Sequence, residues 1–110
     1  MSLLFRTEHP EQLLAALWDG VASGEITEWR RDSRGWLTQA APRWARQAWL
    51  RPMLVTGGLE FETIAPQDTE LTRATYAHYH ASLAETFIRS LFAFYDEVHI
   101  TTNATRLEAA

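Results

Sequence analysis

Apolar positions recur along this chain with two periods, and the changes between them mark out its elements. Tyr76, Leu83, Phe87, Leu91 and Phe94 recur at spacings of seven, four, four and three, one stripe at about 100° per residue. That spacing predicts a helix over 68–95, with Pro66 before it, Asp68 or Thr69 capping its first amides and Glu70 at the positive end of its dipole. Tyr79, Ile88, Phe92 and Tyr95 widen the stripe beyond what one small core needs. Glu85 and Arg89, four apart, mark the wet side. At about 1.5 Å per residue such a helix is roughly 40 Å long, longer than a domain of this size is wide. Either part of it packs on a second copy, with Tyr76, Tyr79, Leu83, Phe87 and Leu91 as the dimer seam, or the chain is a single-sheet monomer with one over-greasy helix.

The remaining elements follow from shorter patterns. Residues 2–6 read as a strand, and Pro10 opens a helix carrying Leu13, Leu14, Leu17, Trp18 and Val21 on one face, with Gly24 as its stop and Gly20 weakening the last turn. Asp32-Ser33-Arg34-Gly35 suits a turn ending in a left-handed glycine, giving a hairpin of 26–31 with 36–39. Residues 41–51 allow either a short helix from Pro42, ended by Pro52, or an irregular link. Gly57-Gly58 is a tight-hairpin signal between strands at 53–56 and 59–64, in a register that sets Thr56 opposite Leu59 and Leu54 opposite Phe61. Alternation over 97–102 predicts a last strand, half-buried through Val98 and Ile100, and 103–110 reads as a frayed tail. The expected fold is α+β, in one domain over 1–110. It has an antiparallel sheet of about five to six strands with two helices packed on one face, in the order β-α-β-β-β-β-α-β.

Composition narrows the classes. A chain of 110 residues buries a core without staples, and the lack of cysteine excludes disulfides and thiolate metal sites. No apolar run is long enough for a signal peptide or a membrane span, so a cytoplasmic protein is expected. The net charge of −4 is unevenly spread. Six arginines and one acid, Asp32, fall within 29–51, leaving four arginines and thirteen acids elsewhere.

Within 29–51 those arginines interleave with Trp29, Trp36, Trp44 and Trp49. Guanidinium groups bind phosphate and flat rings stack on bases, so Arg30, Arg31, Arg34, Arg43, Arg46 and Trp36 are the candidate nucleic-acid contacts. The ordinary alternative is core tryptophans and solvated arginines. A third possibility is a protein-binding patch of exposed tryptophan.

No catalytic motif is present, and an enzyme is not expected. His78 and His80, two apart on a helix, point about 200° apart and cannot share a metal ion. A histidine in a pocket beneath the sheet is the weakest hypothesis, although His78 shares a face with Ser82, Glu85 and Arg89. Glu60 and Glu62 share a strand face, as solvated pairs commonly do. Gly57-Gly58 lacks the following helix and the lysine of a phosphate loop. No cofactor, metal or small-molecule ligand is expected.

Leu71-Thr72, the run Tyr76-Ala77-His78-Tyr79-His80, Glu85 and the run Phe94-Tyr95-Asp96-Glu97-Val98 together resemble a pattern in small uncharacterised proteins carried on proteobacterial plasmids and other mobile elements. The resemblance covers about 30 residues. It implies a role in plasmid or element biology, compatible with a dimer that touches DNA, and it transfers no catalytic residue. The expected function is a small homodimeric nucleic-acid-binding or regulatory protein, with a non-enzymatic protein-binding adaptor as the alternative.

Overall fold

A computed structural model describes residues 2–101; the tail expected over 103–110 lies outside them. The described residues form strands β1 (Ser2–Arg6), β2 (Trp29–Arg31), β3 (Leu37–Gln39), β4 (Trp49–Val55), β5 (Gly58–Ile64) and β6 (Glu97–Thr101), and helices α1 (Pro10–Ser23) and α2 (Arg73–Ser90). All strand pairs are antiparallel, in the spatial order β2-β3-β4-β5-β1-β6. The α+β class and the order β-α-β-β-β-β-α-β are as the sequence predicts.

The core lies on one side of the sheet. Leu3 and Phe5 pair with Phe61 and Leu59, and all four are fully buried. Leu13 and Leu17 of α1 and Tyr79, Leu83 and Phe87 of α2 meet them in one cluster, so both helices lie on that face. Phe87 stacks on Phe5 at 3.8 Å and meets Phe61 edge-on at 5.7 Å. α1 runs through Gly20 to Gly24, which is left-handed at φ 82°. A Cβ on Gly20 would sit 2.6 Å from Ile26 Cδ1, so this glycine makes room for the chain returning to β2.

Four details depart from expectation. First, α2 starts at Arg73 and not at 68. Asp68 is left-handed, at φ 59°, within a turn closed by Thr69 N to Pro66 O, and Thr72 caps the helix by accepting from Thr75 N at 3.1 Å. At the other end Leu91 leaves helical geometry, residues Phe92–Phe94 form a 3-10 turn, and Tyr95 goes extended to pack edge-on to Phe5. The helix is about 27 Å long, inside the molecule's 35 Å longest dimension, which removes the overhang expected of it.

Second, its apolar stripe belongs to its own chain. Tyr76, Tyr79, Leu83, Phe87 and Leu91 are at most 8 % exposed, so they are not available as a seam between copies.

Third, the hairpin turn is Thr56-Gly57, which sets Val55 opposite Gly58 and Leu54 opposite Leu59, not Phe61. Only Gly57 takes a positive φ there. Gly58 is needed in β5, because a Cβ on it would meet the Phe5 carbonyl oxygen at 2.7 Å.

Fourth, 41–47 is a run of turns pinned by Tyr79 Oη donating to the Trp44 carbonyl, and β4 begins at Trp49 and passes through Pro52. The β3–β4 ladder is confined to Leu37 opposite Leu50, so Pro52 lies beyond it.

Candidate interaction surface

The tight turn after β2 is built by one carboxylate. Asp32 Oδ1 accepts from Arg34 N at 2.8 Å and Trp36 N at 3.0 Å, while Gly35, at φ 81°, lets the chain turn back. Partial burial pushes the Asp32 carboxyl up, but the bonds from Trp36 and Arg34 and the adjacent guanidinium outweigh this and hold it below the usual carboxylate value. The Arg34 side chain folds back onto Asp32 Oδ2 at 2.6 Å. This fixes its guanidinium over Trp36, with Cζ 3.9 Å from the ring centroid and 5.1 Å from that of Trp49. Arg51 reaches the other part of the stack, 5.9 Å from Trp36, and pairs with Glu62.

These groups stand on the sheet face away from the helices. Cross-strand neighbours there form rows: Met53, Glu60, Leu4 and His99; Arg51, Glu62, Ser2 and Thr101; and Trp49 beside Ile64. Leu4, Trp36, Trp49, Met53, Val55 and Ile64 are all half-buried, and no helix covers them. The continuous apolar runs Leu3-Leu4-Phe5 and Met53-Leu54-Val55 are the signal for such a face, since a strand wet on one side alternates.

The arginine–tryptophan constellation expected over 29–51 is divided. Trp29 is core, 2 % exposed, and donates its Nε1–H to Thr86 Oγ1 at 3.0 Å. Arg31 points to the helix side and lies 4.2 Å over Trp18 of α1, and Arg30, also exposed, pairs across the strands with Thr38, whose hydroxyl lies 3.2 Å from Tyr79 Oη of α2. Arg43 is 5.5 Å from Trp44, whose ring is stacked at 4.0 Å on His78. Arg46 takes φ 59° so that its amide can reach Thr38 Oγ1 at 2.9 Å. Only Arg34 and Trp36 of the six candidates share one surface with the partly exposed Trp49.

The polar residues elsewhere serve structure. Thr86 is fully buried and links the Trp29 indole to Glu28, which also pairs with Arg89. Partial burial raises the Glu28 carboxyl, and hydrogen bonds from the backbone and Thr86 together with the Arg89 charge bring it below its usual value. His80 is buried with Nε2 2.7 Å from Thr63 Oγ1. Burial pushes it down to about 4, and neither it nor His78 lines the groove between Thr7–Gln12 and Ala93–Asp96, the one between Trp18 and Arg31, or the one between Glu28 and Arg89. Among those residues no group of three or more His, Asp or Glu could hold a metal ion, and no helix is long and apolar enough to cross a membrane.

No protein-family model, curated protein or solved structure matches the chain.

Proposed function

We propose that the protein is a non-enzymatic adaptor that binds another protein through the sheet face opposite its helices. The observation that carries this reading is the Arg34–Trp36–Trp49 stack standing among half-buried Leu4, Met53, Val55 and Ile64 on an uncovered sheet. Tryptophan and arginine dominate binding hot spots because they offer large contact area, and here both are already fixed in place, so little side-chain entropy is lost on docking.

Charge favours a protein over a phosphate backbone. Arg34, Arg51 and Arg6 each have a carboxylate beside them, in Asp32, Glu62 and Glu97. Counterion release needs unpaired cations, and a polyanion on this face would also meet Glu60. The net charge of −4 adds repulsion at longer range.

The test is photo-cross-linking in the producing cell, with a benzophenone side chain in place of Arg34 and, as control, of the exposed Glu11 on α1. A discrete protein adduct is expected from position 34 alone, its binding weakened about 30-fold by Trp49→Ala, as for a hot spot. Nuclease-sensitive adducts, or salt-dependent retention of DNA by the purified chain, would replace this reading with the nucleic-acid one. Equal adducts from both positions would abolish it.

A further inference from the structure

The sheet ends in two edges built to opposite rules. At one, β2 is three residues long and carries exposed Arg30 and Arg31; shortness and charge are common protections of an edge. At the other, β6 has five residues, none of them proline, lysine or arginine, and among the described residues it pairs with β1 alone. No strand of the described residues lies on its outer side, which makes that side a template for another strand. Ile100 stands opposite Leu3 of the core-facing row, points to the helix side, and is nevertheless 49 % exposed.

We propose that β6 pairs antiparallel with β6 of a second copy about a twofold axis through His99, making one continuous sheet with the helices of both copies on the same side. The strand is complementary to itself in this register. Val98 faces Ile100 of the second copy and Ile100 faces its Val98, so the apolar row runs on across the axis. Glu97 faces Thr101 of the second copy and lies diagonal to its His99, a distance over which opposite charges interact. No other antiparallel register of Glu97–Thr101 with itself pairs all five residues. A slip of one residue would set Val98 against His99 and break the faces apart.

The helix layer continues the match. Tyr79 and Thr86 lie on the flank of α2 that reaches Trp44 and Trp29. At about 100° per residue, Ala77, Ala84 and Ile88 lie on the opposite flank. That is the side of β6, whose Thr101 carbonyl accepts from Tyr76 Oη at 2.6 Å. Ile88 is 59 % exposed. The twofold axis turns this flank toward its copy, taking Ile88 and Ile100 out of water together. The seam is thus formed by an edge strand and the outer flank of α2, at the far end of the sheet from Trp36 and Trp49.

Sedimentation velocity over a range of concentrations tests this, together with hydrogen exchange of the β6 amides. The mass of two chains is expected at about 100 µM, with protection over Glu97–Thr101 that rises with concentration. Ile100→Lys adds charge to the edge and removes two apolar contacts per pair, so it is expected to raise the dimer Kd about 100-fold. Ile88→Glu, on an exposed helical position where folding is undisturbed, raises it about 10-fold, while Ile100→Val and Trp36→Ala leave it unchanged. A single-chain mass at every concentration, or a dimer that both charged variants leave intact, would overturn the proposal. The cross-linking result at position 34 stands or falls separately.

Discussion

The two faces of the sheet follow different chemistry. On the helix side, Leu3, Phe5, Leu37, Leu50, Leu59 and Phe61 have no exposed surface, and aromatic rings fill the space between the layers. On the other side, apolar and charged residues alternate from strand to strand, every apolar side chain is half-exposed, and the arginines are held by neighbouring carboxylates. The first face is closed over its centre within one chain, with Leu54 and Ile100 left exposed at its margins. The second is ordered but left open to water within one chain, and it is there that the proposed partner would dock.

The contrast is sharpest at Phe87, which touches Phe5, Phe61 and Tyr95 with rings 3.8, 5.7 and 5.9 Å away. Phe87→Ala opens a cavity in the centre of the helix–sheet layer and is expected to cost about 3–5 kcal/mol, measured by urea unfolding. A loss below about 1 kcal/mol would mean that this face is no better packed than the other.

Histidine 80 gives the covered face a pH signature. It is 3 % exposed, with Nδ1 unpartnered, and burial brings its pKa from 6.5 to about 4. Between those values the unfolded chain binds a proton that the native chain does not, so stability rises with pH. The contribution is complete above the unfolded value and is lost as pH falls toward 4. Between pH 7 and 5 the unfolding free energy is expected to drop by about 2 kcal/mol, a slope that His80→Leu flattens. Glu28 and Asp32 are held low and lose their contributions only in more acid solution. An unchanged slope in the variant would show that His80 is not the group responsible.

What could be read in advance follows the same division. Periodicity located both helices and the last strand, because one buried face imposes its repeat on the residues, and turn signals located the two hairpins, although the first half of β4 fell in the stretch read as a short helix or a link. It overextended α2, since Phe92, Phe94 and Tyr95 continue the apolar pattern after the backbone has left the helix. It also treated the whole greasy surface as a dimer seam, whereas Tyr76, Tyr79, Leu83, Phe87 and Leu91 are covered by their own chain and only Ile88, Phe92 and Phe94 stay exposed. The shifted hairpin turn was not legible, because Gly58 is required by the approach of Phe5 in a strand more than fifty residues earlier. At the candidate site, composition found the arginines and tryptophans but not their partition. Trp29 and Trp36 are chemically alike, and only tertiary packing sends one to Thr86 in the core and the other to Arg34 on the open face. The carboxylates that neutralise the patch come partly from β5 and β6, outside the basic stretch.

Trp36 carries the smallest expected effect on stability and decides most about the open face. Its ring is half-buried, and its main neighbours are the guanidinium of Arg34 and, farther off, that of Arg51. Removing it leaves no enclosed cavity, because one side already faces water, and forfeits a cation–π contact and some partly covered area. Trp36→Ala is therefore expected to cost about 1 kcal/mol in urea unfolding, while the cross-link from position 34 is lost. The two readings separate cleanly here. A tryptophan that supported the fold would cost as much as Phe87 and unfold the protein as it abolished binding. One held in readiness for a partner leaves the melting curve nearly unmoved, because the area it would bury belongs to a complex and not to the chain alone.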